Sequence, residues 1–127
     1  MAAHEGLHES LDKLKPFTLD LHRAIVSMME ELEAVDWYQQ RVDASGDPAL
    51  GNILAHNRDE ELEHFAMTLE WVRRKLPKMD EALRTYLFTT GEITTLEESA
   101  TGKAGGEGAS TPERTTAPMT VGALHKR

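Results

Sequence analysis

The stretch Ser45-Gly46-Asp47-Pro48 separates two long amphipathic segments and decides the predicted fold. Asp47 is a good N-cap and Pro48 suits the first position of a helix, so a second helix should start there. Gly46 can take the left-handed conformation that often ends a helix. Because a loop this short joins antiparallel neighbours, the chain should form a helical hairpin.

Apolar residues recur at steps of three and four on both sides of this loop, which is typical of amphipathic helices. The first helix should reach Ala44, with Pro16 as a break or kink and a regular part that begins near Phe17. The second should end near Leu76 before Pro77, followed by a shorter segment from Met79 to Phe88. Strand signals are almost absent. We therefore predict an all-α fold, a two-helix hairpin with a short C-terminal helix.

The composition changes near Thr89, where Thr, Gly, Ala, Ser and Glu replace large apolar residues. Residues 1–90 are predicted to form the helical domain, residues 91–118 a disordered linker, and residues 119–127 a short apolar tail that binds a partner. A domain of about 90 residues has a small core, so we expect it to associate with a copy of itself.

Charge and composition exclude several classes of function. The chain of 127 residues has no cysteine, which excludes disulfides and thiolate metal sites and fits a cytoplasmic protein. A net charge of -8 argues against a nucleic-acid partner. No secretory signal or membrane span is predicted, so the protein should be soluble.

Glu31, Glu61 and His64 are the candidate metal ligands, because each falls within a largely apolar helical face. Glu31 lies as far before Gly46 in the sequence as Glu61 lies after it, so an antiparallel hairpin brings the two carboxylates to one height. His64 is one turn beyond Glu61 and can reach the same ion. A buried carboxylate is unfavourable unless a positive group meets it.

This ligand set suits iron or manganese, but it is half of a di-metal site. A ferritin-like bundle uses one Glu from each of two helices and a Glu-x-x-His from each of the other two. Two copies around a two-fold axis supply that set, so we predict an obligate dimer with metal at its centre.

Alternatives to iron chemistry follow from the same residues. Glu31, Glu61 and His64 could form a buried polar network with Arg58 or Arg41 in a non-catalytic helical dimer or adaptor, and the site could hold manganese or zinc without redox turnover. A second cluster on the first helix, Glu30, Glu33 and Trp37, is interpreted as an exposed acidic patch, a contact between dimers, or a weak cation site.

The sequence resembles the encapsulated ferritins of bacteria and archaea between His22 and Phe88. The motifs that carry the resemblance are MEELEAVDWY (29–38), HNRDEELEH (56–64) and RTYLF (84–88), in the same order and with similar spacing. It implies a hairpin whose dimer makes a ferritin-like four-helix bundle, with dimers arranged in a ring, commonly a decamer. It also implies a ferroxidase that oxidises iron(II) with oxygen at a di-iron centre and delivers iron to a surrounding encapsulin shell.

Matching motifs extend the resemblance to single residues. Glu31, Glu61 and His64 correspond to the iron ligands, and Tyr38 to a tyrosine beside that centre. Glu30, Glu33 and Trp37 resemble a metal entry site, at which calcium is a candidate ion. The tail TVGALHKR (120–127) is similar to encapsulin cargo-loading peptides, although the usual pattern has Ser in place of Ala123 and a basic residue in place of His125.

Overall fold

Three α-helices form the described part of the chain, residues 6–98, in a computed structural model. Helix α1 spans Pro16–Ala44, α2 spans Pro48–Lys75 and α3 spans Pro77–Tyr86. Two short 3-10 helices, Leu11–Lys13 and Ile93–Thr95, flank them. Helix α1 packs against α2. The predicted hairpin with a short third helix is confirmed, and residues 6–98 contain no strand.

The hairpin turn is stabilised by Asp47, as the sequence predicts. Its carboxylate accepts hydrogen bonds from the backbone N–H of Ala49 at 2.9 Å and of Leu50 at 3.4 Å, two donors that the first turn of a helix leaves unpaired. The prediction of a left-handed conformation at Gly46 is wrong. Among the described residues, positive φ angles occur at Phe88 and Gly91. Instead α1 ends at Ala44, and the next residue, Ser45, has an extended backbone and donates its N–H to the Arg41 carbonyl.

Proline sets the start of all three helices. Pro16 is the first residue of α1, one position before the predicted Phe17, and no kink is needed because the preceding turn is a separate 3-10 helix. Pro77 likewise begins α3, which was predicted from Met79. That helix ends at Tyr86, two residues before the predicted Phe88, because Phe88 has a φ of 58° and leaves the helical path.

The described chain falls into two compact units, the first ending at Asp80 and the second beginning at Glu81. In the first unit, Ala24 and Val72 are the buried apolar residues of the described part, a very small core for two helices of this length. Large apolar side chains on α1 and α2 remain exposed, namely Phe17, Ile25, Met29, Leu32, Trp37, Leu50, Ile53, Leu62 and Met67. So much exposed apolar surface is typical of a chain that associates.

Ion pairs fix the end of α2. Arg73 donates to the carboxylate of Glu70, three residues earlier, and to that of Asp80. Arg74 also pairs with Glu70, at 3.1 Å. These pairs connect the last turn of α2 to the residues after Pro77.

In the second unit, Tyr86 Oη lies 3.3 Å from Glu97 Oε2. Residues 91–98, which the prediction assigned to the linker, contain the 3-10 helix Ile93–Thr95. The rest of the predicted linker and the predicted tail 119–127 lie outside the described residues. Between residues 6 and 98, no helix has the length and apolar character that crossing a membrane requires.

Candidate metal centre

Glu31 is the unusual acidic residue of the hairpin. Its side chain is half-buried on α1, and its Oε2 atom is buried without a hydrogen-bond partner. Burial raises the pKa of this carboxyl above its ordinary value, His64 opposes that rise, and Glu61 and Glu30 add to it. The fold thus holds a hydrogen-bond acceptor whose charged form is disfavoured by burial.

Glu61 and His64 form a pair on α2. His64 Nδ1 lies 3.6 Å from Glu61 Oε2, as expected for residues three apart on one helix. The side chain of Glu61 is 27% exposed and that of His64 is 46% exposed, so both are within reach of solvent or of another chain. Neither is sealed inside the hairpin.

Charges on α2 influence the Glu31 carboxyl on α1. His64 and Glu61 are the two largest charged influences on its pKa. Within residues 6–98, however, no group of three His, Asp or Glu side chains is close enough to hold a metal ion. The shared site therefore stays a prediction that a single chain does not test.

The arginines required by the polar-network alternative have other partners. Arg58 donates to Gln39 Oε1 at 2.6 Å and pairs with Asp59. Arg41 lies over the ring of Tyr38, 5.5 Å from its centroid. The charged groups that shift the pKa of Glu31 are His64, Glu61 and Glu30, so its carboxylate owes no shift to either arginine.

The proposed entry cluster lies on the exposed side of α1. Glu30 and Glu33 are exposed, and the Trp37 side chain is half-exposed. Glu30 is close enough to Glu31 to raise its pKa. Tyr38 is half-buried and lies two turns after Glu31, along the same face.

An open groove near the far end of the hairpin was not predicted. It has a volume of about 480 Å³ and is lined by Asp20, Ala24, Met67, Thr68 and Trp71. The signal in the sequence was the spacing of Met67 and Trp71, one turn apart, on a helix face that continues beyond His64. Small Ala24 opposite them leaves the space open.

The chain is similar to a known family and to several known proteins. A family model described as EncFtn-like matches residues 6–90. The "Encapsulated ferritin-like protein" of Rhodospirillum rubrum is 65% identical over 101 residues, 80% of this chain and 72% of the relative. The "Encapsulin nanocompartment cargo protein EncC" of Myxococcus xanthus is 31% identical over 125 residues, 92% of this chain and 94% of the relative. A crystal structure of protein ne0167 from Nitrosomonas europaea is similar with a TM-score of 0.67 and 57% identity, covering 69% of this chain and 97% of that one.

Proposed function

We propose a function for this chain from one established premise: it belongs to the EncFtn-like family. The resemblance seen in the sequence is thereby confirmed. On that premise the chain is an encapsulin-associated, ferritin-like protein with an iron-related oxidoreductase activity. In its specific form the proposal is a ferroxidase, in which two copies bind iron(II) between them and oxidise it to iron(III) with oxygen.

The observation that carries the proposal is the buried, unpartnered Oε2 of Glu31. A buried carboxylate without a donor is costly, and the usual resolution is a cation. Carboxylate oxygens together with an imidazole are a donor set that suits iron, so Glu31, Glu61 and His64 fit the substrate. Burial raises the pKa of Glu31, and a bound cation is the kind of group that favours the charged form of a buried carboxyl.

A second copy is part of the proposal because one chain supplies too few donors. Glu31, Glu61 and His64 give two carboxylates and one imidazole, whereas a ferritin-like di-iron site takes four carboxylates and two imidazoles from four helices. A two-fold axis doubles this chain's set to that number. The exposed apolar side chains of α1 and α2 give such a dimer the surface to bury.

Each residue of the site has a physical task in oxidation. Glu30 and Glu33 attract iron(II) at the exposed side of α1, and Trp37 forms the edge of that approach. Glu31 and Glu61 neutralise the bound cation and favour its higher charge, so the loss of one electron per iron to oxygen becomes easier. His64 supplies a nitrogen ligand, and Tyr38, two turns after Glu31, corresponds to the tyrosine that the family resemblance puts beside the centre.

The encapsulin association is proposed for the tail, residues 119–127. One relative is named as an encapsulin cargo protein and another as encapsulated. If the part of the predicted linker beyond residue 98 behaves as a flexible chain, its root-mean-square reach is roughly 25 Å. That is enough for a ring of dimers to oxidise iron beside the shell wall, inside a cytoplasmic compartment.

Oxygen-dependent formation of iron(III) by the purified protein tests the ferroxidase. We expect rapid oxidation by wild type and a loss of at least about tenfold for Glu61→Ala, since even changes outside the ligand shell of a metal commonly cost that much. Glu63→Ala, two residues away on the same helix, is the matched control and should keep the wild-type rate. Equal rates for wild type and Glu61→Ala would favour the non-catalytic helical dimer.

A further inference from the structure

We infer that Asn57 is a positioning residue of the candidate metal centre, whose side-chain amide donates a hydrogen bond to the Glu61 carboxylate and holds it in the orientation that binds iron(II). This inference rests on the proposed function, because Glu61 needs a fixed orientation only if it binds a cation. Asn57 precedes Glu61 by four residues on α2, so the two are neighbours on the helix surface.

Asn57 is a polar residue on a largely apolar face of α2. Leu50, Leu54 and Asn57 follow one another at steps of four and three, and the same steps lead on to Glu61 and His64. Asn57 is half-buried, and among residues 6–98 its side chain has no hydrogen-bond partner. A half-buried amide without a partner adds little to the stability of the hairpin, which indicates a task outside the fold of the single chain.

The two glutamines of α1 show what a side-chain amide does at this spacing. Gln39 Nε2 donates to Oδ1 of Asp43, four residues later, at 3.0 Å. Gln40 makes the same bond, also at 3.0 Å, to a carboxylate four residues earlier. Asn57 precedes Glu61 in the same order and by the same number of residues as Gln39 precedes Asp43, so its amide can reach the Glu61 carboxylate in the same way.

The Glu61 carboxylate can accept this hydrogen bond. A carboxylate that binds a metal ion usually accepts a hydrogen bond from a neighbouring group, which fixes its orientation and strengthens the binding. The described contact of Glu61, with His64 Nδ1, is 3.6 Å long and lies beyond the range of a hydrogen bond. Because His64 is itself a proposed ligand, another side chain is needed to orient Glu61.

Asn57 is the suitable donor among the described residues within one turn of Glu61 on α2. Arg58, the other candidate before Glu61, donates to Gln39 Oε1 at 2.6 Å and pairs with the carboxylate that follows it. Phe65, one turn after Glu61, has no side-chain donor. An amide also suits the site by charge, because a neutral donor does not repel the incoming iron(II) as an arginine would.

The hydroxyl of Tyr38 is the competing donor, because it belongs to the α1 face that carries Glu31. Tyr38 lies two turns, about 10 Å, from Glu31 along α1, whereas Asn57 lies one turn, about 6 Å, from Glu61 along α2. Long side chains on a helix lean toward its N-terminus, which for Glu61 is the direction of Asn57 and for Tyr38 the direction of Glu31. The two donors therefore suit different carboxylates.

Anaerobic titration of the full-length protein with iron(II), read by calorimetry, tests this role without turnover. Asn57→Leu removes the amide and keeps a side chain of similar size. We expect its affinity for iron(II) to fall about tenfold or more, the usual effect of removing a group that orients a metal ligand. Urea unfolding of the metal-free variant should show unchanged or higher stability, because no hydrogen bond within the chain is lost. Asn52→Leu, the same substitution at an exposed position of α2, is the matched control and should keep the wild-type affinity.

Two further variants separate the amide from the space it fills. Asn57→Gln should recover most of the affinity that Asn57→Leu loses, because a glutamine amide also reaches a carboxylate four residues away, as Gln39 does. Asn57→Ala removes the amide without adding apolar bulk and should bind as weakly as Asn57→Leu. Wild-type affinity in the Leu and Ala variants, or equal losses in the Gln and Leu variants, would overturn the inference. So would a lower affinity confined to variants whose metal-free protein is also destabilised, since that result describes a residue that only supports the fold.

Glu61→Ala and Tyr38→Phe, measured in the same titration, show which part of the argument fails. If Glu61→Ala binds iron(II) as wild type does, the proposed function itself is wrong. If Glu61→Ala loses binding while the Asn57 variants keep it, the proposed ligand set stands and the role of Asn57 is removed. A lower affinity of Tyr38→Phe beside unchanged Asn57 variants would assign the orienting role to Tyr38 instead.

Discussion

His64 Nδ1 and Glu61 Oε2 lie 3.6 Å apart on one face of α2, opposite Glu31 on α1. A second His–Glu pair on the same helix, His56 and Glu60, has the same separation of 3.6 Å, but the His56 side chain is 66% exposed. The two pairs consist of the same residue types but differ in their surroundings. The His64 pair influences the pKa of Glu31, a half-buried carboxyl on the other helix. On that difference we propose the His64 pair, and not the His56 pair, as metal ligands.

Replacing His64 should therefore remove iron binding, and replacing His56 should not. For His64→Ala we expect affinity for iron(II) to fall at least about tenfold, because the site loses its only type of nitrogen ligand. His56→Ala is the control. Anaerobic titration with iron(II), read by calorimetry, gives both affinities without turnover, and equal binding by the two variants would remove His64 from the proposed ligand set.

Glu31→Gln should separate stability from metal binding. The buried Oε2 of Glu31 lacks a hydrogen-bond partner, so replacing the carboxylate by a neutral amide removes a charge that burial disfavours. We expect the metal-free variant to be more stable than wild type, by about 1 kcal/mol, while its iron binding is lost. Urea unfolding of apo-protein measures the first effect.

Glu33→Gln, at an exposed position nearby on the same helix, should change neither stability nor binding at Glu31. A loss of stability in apo Glu31→Gln would instead show that the carboxylate is satisfied without metal, as the non-catalytic alternative requires.

The sequence sufficed for the hairpin because its signals are local. Asp47 and Pro48 fix the turn, and the steps of three and four place Glu31 and Glu61 on facing stripes. In the folded chain the charges of His64, Glu61 and the neighbouring Glu30 act on the Glu31 carboxyl, and the ligand set itself stays a prediction.

The features that the spacing of residues along the sequence could not predict depend on how side chains of different helices fill the volume between them. The groove arises because Ala24 is small where it faces Met67 and Trp71, and residue size across two helices is not a periodic property. The stacking of Arg41 on Tyr38 and the bond from Arg58 to Gln39 depend on rotamers of long side chains. Helix ends were misjudged where proline starts a helix and where Phe88 adopts a positive φ.

Removing the Asp47 cap should destabilise the hairpin. Asp47→Ala leaves the N–H groups of Ala49 and Leu50 without their acceptor, which typically costs about 1 kcal/mol. Asp47→Asn keeps an acceptor oxygen at the same place and should be close to wild type. Thermal unfolding followed by circular dichroism compares them, and equal melting of all three proteins would show that the turn is held by Pro48 alone.

The ion pairs at the end of α2 should give a defined pH dependence. Hydrogen bonds from Arg73 lower the pKa of Glu70 from 4.5 to about 2. Because the folded-state pKa is depressed, the stabilisation is fully present above pH 4.5 and is lost as the pH falls toward 2. The melting temperature of wild type should exceed that of Glu70→Gln near neutral pH, and the two should converge at the acid end of that range.

Added salt should reduce the difference in melting temperature between wild type and Glu70→Gln. The Glu70 side chain is 40% exposed, so salt screens its ion pairs. Glu63→Gln, which removes a charge from the same helix without touching Arg73, is the control. A wild-type advantage over Glu70→Gln that persists unchanged at pH 2 would mean that packing, not the ion pair, carries the contribution of Glu70.

Deleting Thr120–Arg127 should uncouple encapsulation from oxidation. The proposed ferroxidase residues Glu31, Glu61 and His64 all lie on the hairpin, so the truncated protein should oxidise iron(II) at the wild-type rate. Co-expressed with the encapsulin shell protein, it should no longer co-purify with assembled shells, because the apolar segment of Val121 and Leu124 is the proposed anchor.

Deletion of Lys103–Ser110, a segment of equal length within the predicted linker, is the matched control and should preserve loading. Shell co-purification of the tail-deleted protein at wild-type stoichiometry would place the anchor on the hairpin instead.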